Sequence, residues 1–192
     1  MEAVTLDKNS VRTANATVAC LAGGPFWSME AIFSRVPGVI SVLSGFSGGN
    51  RENPSYLEVC GGKTGHCEAI RVEFDPVKIS YEKLLEIFWE SHDPTQFNST
   101  FNLGPQYRSV IFYHDDQQKS MAELSRKKTQ SDLAFPILTQ IKPFKNFYRA
   151  NDRHQGYYEK NVKAPYCQII VAPRLQALES RGILPRTQAW IH

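Results

Sequence analysis

A chain of 192 residues is long enough to bury a core as one domain, and 42% hydrophobic with 21% charged residues exclude a disordered or fibrous chain. The formal net charge of +3 is carried by scattered lysines and arginines, the densest cluster being Arg126–Lys128, which argues for solvated faces and against a nucleic-acid surface. No run approaches the roughly 18 apolar residues of a membrane span. Met1 to Asn15 mixes acidic and basic residues without an apolar core, so it reads as a flexible N-terminal extension and not as a secretory signal. A cytoplasmic protein with one domain over 16–192 is expected. Cys20, Cys60, Cys67 and Cys167 show neither C-x-x-C nor zinc-ligand spacing, and reduced, buried thiols are expected.

Residues 16–22 (ATVACLA) read as a buried strand, Gly23-Gly24-Pro25 as a tight turn, and Met29, Ile32, Phe33 and Val36 as one helical face. A second apolar stretch, Val39–Phe46, ends at Gly48-Gly49 and leads into a Gly-, Asn- and Pro-rich loop running to residue 66. Glu68, Ile70, Val72 and Phe74 alternate with Ala69, Arg71 and Glu73, the period of a half-buried strand. Ser80 is a suitable N-cap for a helix carrying Tyr81, Leu84, Leu85 and Phe88 on one face and ending before Pro94. Val110–Tyr113 reads as a strand and Asp115–Lys128 as a polar helix with Met121 and Leu124 inward. Pro136–Ile141 reads as the last strand, followed by aromatic loop and a short helix near Leu175–Ser180. Interleaved strands and helices without a strict βαβ repeat point to an α+β fold with a mixed sheet.

Several ordered motifs go further. They are Gly23-Gly24-Pro25-Phe26-Trp27-Ser28-Met29-Glu30, Gly45-Phe46-Ser47-Gly48-Gly49, Asn53-Pro54-Ser55-Tyr56, Thr64-Gly65-His66-Cys67-Glu68, His92-Asp93-Pro94-Thr95, Gly104-Pro105-Gln106-Tyr107-Arg108-Ser109 and His154-Gln155-Gly156-Tyr157-Tyr158. Together they resemble the peptide methionine sulfoxide reductase A family, in which the first segment reads G-C-F-W-G-x-E. The resemblance implies a single-domain mixed sheet with flanking helices and extensive coil. It also implies a thiolate at the helix start that attacks the sulfoxide sulfur, a glutamic acid that protonates the oxygen, and two tyrosines that hydrogen-bond it. A helix N-terminus lowers a thiol pKa, and an apolar pocket raises that of a carboxyl group.

Carried over by position, the resemblance makes Glu68, Tyr56 and Tyr107 the acid and the oxygen-binding phenols, and Phe26 and Trp27 the pocket for the methyl group. The position of the nucleophile holds Pro25, and a family aspartate that would contact substrate is Asn102. The tail Ala172–His192 has no cysteine, so the resolving thiols of many relatives are absent. Proline suits the first helical position, where its missing N–H has no intrahelical partner, but it has neither a nucleophilic atom nor a redox couple.

Three functions are compatible with these residues: a non-redox acid–base reaction on a small substrate, a ligand-binding module for a sulfoxide-type group, and a reductase with a relocated cysteine, Cys67 or Cys20. Thioredoxin is an expected partner only in the last case; otherwise the partner is a small-molecule or peptide substrate. Neighbouring residues of a strand point to opposite faces, so Cys67 faces away if Glu68 faces the pocket. Cys60 and Cys167 read as structural, and His66 and His154 as loop-holding hydrogen-bonders. His66, Cys67 and Glu68 with His154 match no strong ligand pattern, and neither a metal nor another cofactor is expected.

Overall fold

A computed structural model describes residues 17–95 and 104–186 of the chain. The strands Thr17–Ala22 (β1), Val39–Ser47 (β2), Cys67–Phe74 (β3), Val110–Tyr113 (β4), Gln140–Pro143 (β5) and Phe147–Arg149 (β6) form one sheet in the order β5-β4-β1-β3-β2-β6. All pairings are antiparallel except β4 with β5, so the sheet is mixed. The helices are Phe26–Phe33 (α1), Tyr56–Cys60 (α2), Tyr81–Ser91 (α3), Asp116–Gln130 (α4), Tyr157–Lys160 (α5) and Ala172–Ser180 (α6), the last continuing from a π-helical turn at Cys167–Val171. This is the expected α+β architecture.

The period of two in the central strands sorts their side chains into two cores. Ala19 and Leu21 of β1, with Ile70 and Val72 of β3, join Phe26, Ile32, Phe33, Leu84, Leu85 and Phe88 under the helices. Cys20, Ala22, Cys67 and Ala69 face the other way and pack with Val110 and Phe112 beneath Phe144 and Phe147. Ser80 caps α3 by accepting the Lys83 N–H at 3.2 Å, as its position suggests.

Five local expectations need correction. The stretch read as loop contains α2, and the aromatic coil contains β6, which pairs with β2 from Gly45↔Arg149 to Ser47↔Phe147. The strand expected from residue 136 begins only at Gln140, where pairing with Val110 starts; before it, the Leu138 N–H is used by the Pro94 carbonyl at 2.8 Å. Leu124 is 68% exposed, because the buried line of α4 runs through Gln118 and Ala122 and two residues further on is about 200° around the helix. Pro25 is not the first helical residue: with φ −59° and ψ 128° it is the N-cap, and Phe26 is first.

Gly45 lets β6 close on β2, since a Cβ there would meet the Phe147 ring and lie 2.5 Å from the Tyr148 carbonyl oxygen. Gly45→Ala is therefore expected to destabilise the fold by about 1–3 kcal/mol in urea denaturation, a cost of forced overpacking. An unchanged midpoint would show that β6 yields freely.

Candidate active site

The end of β1 reaches α1 through a turn in which Gly24 takes φ +97°, a conformation that suits glycine. Pro25 has no capping side chain, but its carbonyl accepts the N–H groups of Ser28 at 3.1 Å and Met29 at 3.4 Å, so the helix begins without help from that side chain. The first N–H groups of a helix have no intrahelical partner. That of Phe26 donates to Oε2 of Glu68 at 3.0 Å, which ties β3 to the start of α1.

Glu68 is 2% exposed, and burial pushes its pKa up to about 8, the Phe26 N–H opposing this only in part. The group is thus a neutral carboxylic acid at pH 7. Because Oε2 accepts the amide N–H, the proton belongs on Oε1.

Tyr56 opens α2, whose start is fixed by a capping box: Ser55 Oγ accepts the Glu58 N–H and the Glu58 carboxylate accepts the Ser55 N–H. Tyr107 ends a 3₁₀ turn, Pro105–Tyr107. Arg108 holds that turn against the loop before β3, donating to the carbonyls of Pro105 at 2.8 Å and Gly65 at 2.7 Å. Burial raises the pKa of both phenols, and the field of Glu68 adds to it, so both stay neutral donors. Glu68 thus lies near enough to Tyr56 and Tyr107 to influence both phenols, while Asn102 lies outside the described residues.

Phe26 is 1% exposed and contacts Trp27, Phe46 and Tyr56, with ring centroids 5.8–6.3 Å apart. Trp27 is half-buried, and Tyr157 of α5 lies flat on it at 3.7 Å with planes 8° apart. The Glu30 carboxylate of α1 sets this stack by accepting the N–H groups of Gly156 at 2.9 Å and Tyr157 at 3.4 Å. Ser28 Oγ and the Tyr166 hydroxyl are hydrogen-bonded at 2.8 Å, placing the Tyr166 ring edge-on to Trp27.

Two residues belong to the site that sequence reasoning assigned elsewhere. His154 does not merely hold a loop: its ring stacks on Tyr56 at 4.4 Å and lies within 5.8 Å of both Phe26 and Trp27. Cys60 is one helical turn after Tyr56, and burial raises the pKa of its thiol, to which Glu68 when ionised adds. The S-x-x-E signature at Ser55–Glu58 marks the helix that makes this spacing meaningful.

The other thiols are elsewhere. Cys20 and Cys67 lie on the opposite face of the sheet from Glu68, with pKa values pushed by burial up to about 12 and about 11, which is unfavourable for either as the relocated nucleophile. Cys167 is buried in the π-helical turn. His66 spends both ring nitrogens on backbone, Nδ1 accepting the Gly49 N–H at 3.2 Å and Nε2 bonding the Arg51 carbonyl at 2.8 Å. Among the described residues no group of three His, Cys, Asp or Glu side chains is placed to hold a metal ion, and no helix is long and apolar enough to cross a membrane.

Comparison with known proteins agrees with this frame. Residues 17–184 match the family model described as peptide methionine sulfoxide reductase. The peptide methionine sulfoxide reductase MsrA of Sulfolobus acidocaldarius is 47% identical over 160 residues, which is 83% of this chain and 91% of that protein. Methionine sulfoxide reductase A of Corynebacterium diphtheriae superposes with a TM-score of 0.76 at 32% identity, covering 81% of this chain and 80% of the other. Reduced Mxr1 of Saccharomyces cerevisiae gives the same TM-score and identity, covering 81% and 91%. The chain belongs to the peptide methionine sulfoxide reductase family.

Proposed function

We propose that this member has lost the thiol-based reductase step and uses the Glu68, Tyr56 and Tyr107 pocket for a non-redox acid–base reaction on a small substrate bearing a sulfoxide- or carbonyl-type oxygen. The observation that carries the reading is the buried Glu68, its pKa raised by desolvation, hydrogen-bonded to the first N–H of a helix preceded by Pro25. In this reading Glu68 protonates the oxygen and the two neutral phenols of Tyr56 and Tyr107 hold it. The residue at the helix start offers no lone pair to attack sulfur. Acid and phenols alone suffice to polarise a carbonyl and move a proton beside it.

One observation favours a second reading. Cys60 stands beside the same phenols and carboxyl group. Attack of its thiolate on the sulfoxide sulfur would yield a thioether and a Cys60 sulfenic acid, which an external dithiol such as thioredoxin would reduce to thiol and water. Burial and the neighbouring Glu68 raise the Cys60 pKa, and α2 directs its C-terminus, the wrong end of the dipole, at that residue. The first reading therefore stands ahead. Any dithiothreitol-dependent sulfide formation by the natural chain that Cys60→Ser abolishes would reverse the order.

Binding that needs the Glu68 proton should be level below pH 8 and weaken about tenfold per pH unit well above it, as read by calorimetric titration with a methionine-S-sulfoxide peptide. A Glu68→Gln variant should lose this dependence. Affinity of the natural chain that does not change between pH 6 and 10 would remove Glu68 from the proposed role.

Stability gives an independent reading of the same proton. The folded pKa lies above the unfolded value of 4.5, so the folded state binds the proton more tightly, and stability falls as pH rises from that value through about 8. Glu68→Gln, which keeps an oxygen for the Phe26 N–H, should be more stable than the natural chain at pH 9, by on the order of 3–5 kcal/mol. Parallel melting curves of the two proteins across pH 5–9 would contradict the burial argument.

A further inference from the structure

Away from the Glu68 pocket, α3 and α4 run antiparallel. Trp89 Nε1–H of α3 donates to Ser125 Oγ of α4 at 2.7 Å, and one turn back on α3 Glu86 meets Lys128, one turn further along α4, at 3.9 Å. A groove of about 560 Å³ lies along this pair, lined by Ile87, Trp89, Met121, Leu124, Leu133 and Ile183, and it is large enough to take a few side chains. Ile87 and Trp89 are buried, whereas Leu124 is open to solvent and is covered by none of the described residues. The rim is acidic. Glu86 is met by Lys83 and Lys128, and Glu90 by Arg181 at 2.6 Å, but Glu82 and Asp132 have no cationic partner among the described residues.

We infer that the groove is the seat of residues 187–192 of the same chain, Thr187-Gln188-Ala189-Trp190-Ile191-His192, which lie outside the described residues. Three observations carry this. The described chain leaves from the groove itself: Ile183 is part of its wall, and Arg181 is bonded to Glu90 at one end. The reach is right, since Glu82 lies eight residues back from Glu90, about 12 Å along the helix, and the four residues from Arg186 to Trp190 span about 13 Å when extended. The chemistry is complementary. Trp190 and Ile191 supply apolar surface for Met121, Leu124 and Leu133, while the segment has no acidic side chain to oppose Glu82 and Asp132 and ends in His192, which can donate to them. Docked in this way, the segment ties α6 to the α3–α4 pair and shields the exposed Leu124 of an otherwise polar helix. The inference is independent of what the Glu68 pocket does.

Nuclear Overhauser effects from the Trp190 indole N–H of the full chain, assigned through Trp190→Phe, test it. The natural chain should show contacts from this N–H to the methyl groups of Leu124 and Met121. Leu124 is exposed, so Leu124→Lys leaves the core intact; it should abolish those contacts and return the indole resonance to its position in a free peptide of residues 184–192. Val77→Lys, at an equally exposed apolar residue outside the groove, should change neither. An indole of the natural chain that already resonates as in the free peptide, that contacts other residues, or that is unmoved by Leu124→Lys overturns the inference. A mixture of chains labelled separately with 15N and with 13C-methyl groups decides which copy is involved. Contacts confined within a chain support the proposal, whereas contacts between the two labelled chains show that the groove takes the segment of a second copy and contradict it.

Discussion

The hydrogen bond from the Phe26 N–H to Glu68 joins the two demands that organise this molecule. A helix start must find partners for its first N–H groups, and a carboxyl group buried under helices must find a donor. One bond answers both, and it also fixes what the carboxyl group can do. It occupies one oxygen, leaves the other to carry the proton, and keeps the acid on the helix-covered face of the sheet, near enough to Tyr56 and Tyr107 to raise the pKa of each phenol. Desolvation then outweighs the single amide donor, and the group stays neutral at pH 7. The upward pKa shift of Glu68 comes from its burial, independently of the residue at the N-cap.

That independence explains how Pro25 is tolerated. The main-chain carbonyl of residue 25 supplies the first turn's acceptor, and the ring's φ of −59° fits the extended-to-helical junction. Nothing in the hydrogen bonding of α1 calls on a side chain at that place. The first turn of α1 and the bond from Phe26 to Glu68 thus rest on main-chain groups and do not depend on the side chain of residue 25. Around them, Glu30 carries α5 and Ser28 carries Tyr166 onto Trp27, so the aromatic wall is likewise anchored by residues of α1 beyond its first turn.

Much of this arrangement is legible in the sequence, because the strongest local signals coincide with the elements that carry it. Alternation from Glu68 to Phe74 fixes which face Glu68 shares with Ile70 and which Cys67 shares with Ala69. The motifs around Tyr56 and Tyr107 name the phenols. What escapes is set by distant contacts. Phe147–Arg149 becomes a strand only because Gly45 offers β2 an edge free of a side chain. His154 enters the site because Gln155 and Glu30 fasten its loop to Ser44 and to α1, and no periodicity records that. The helical spacing of Tyr56 and Cys60 was available in the capping signature but is masked by the surrounding Gly, Asn and Pro.

The central claim is that the pocket remains competent to position an oxygen while the natural chain lacks the atom that reduces it. The most direct measurement is anaerobic incubation of the natural chain and of Pro25→Cys with a methionine-S-sulfoxide peptide and excess dithiothreitol, followed by quantifying the thioether. Thioether from the Pro25→Cys variant alone is the predicted result. Thioether from the natural chain as well would contradict the account and direct attention to Cys60.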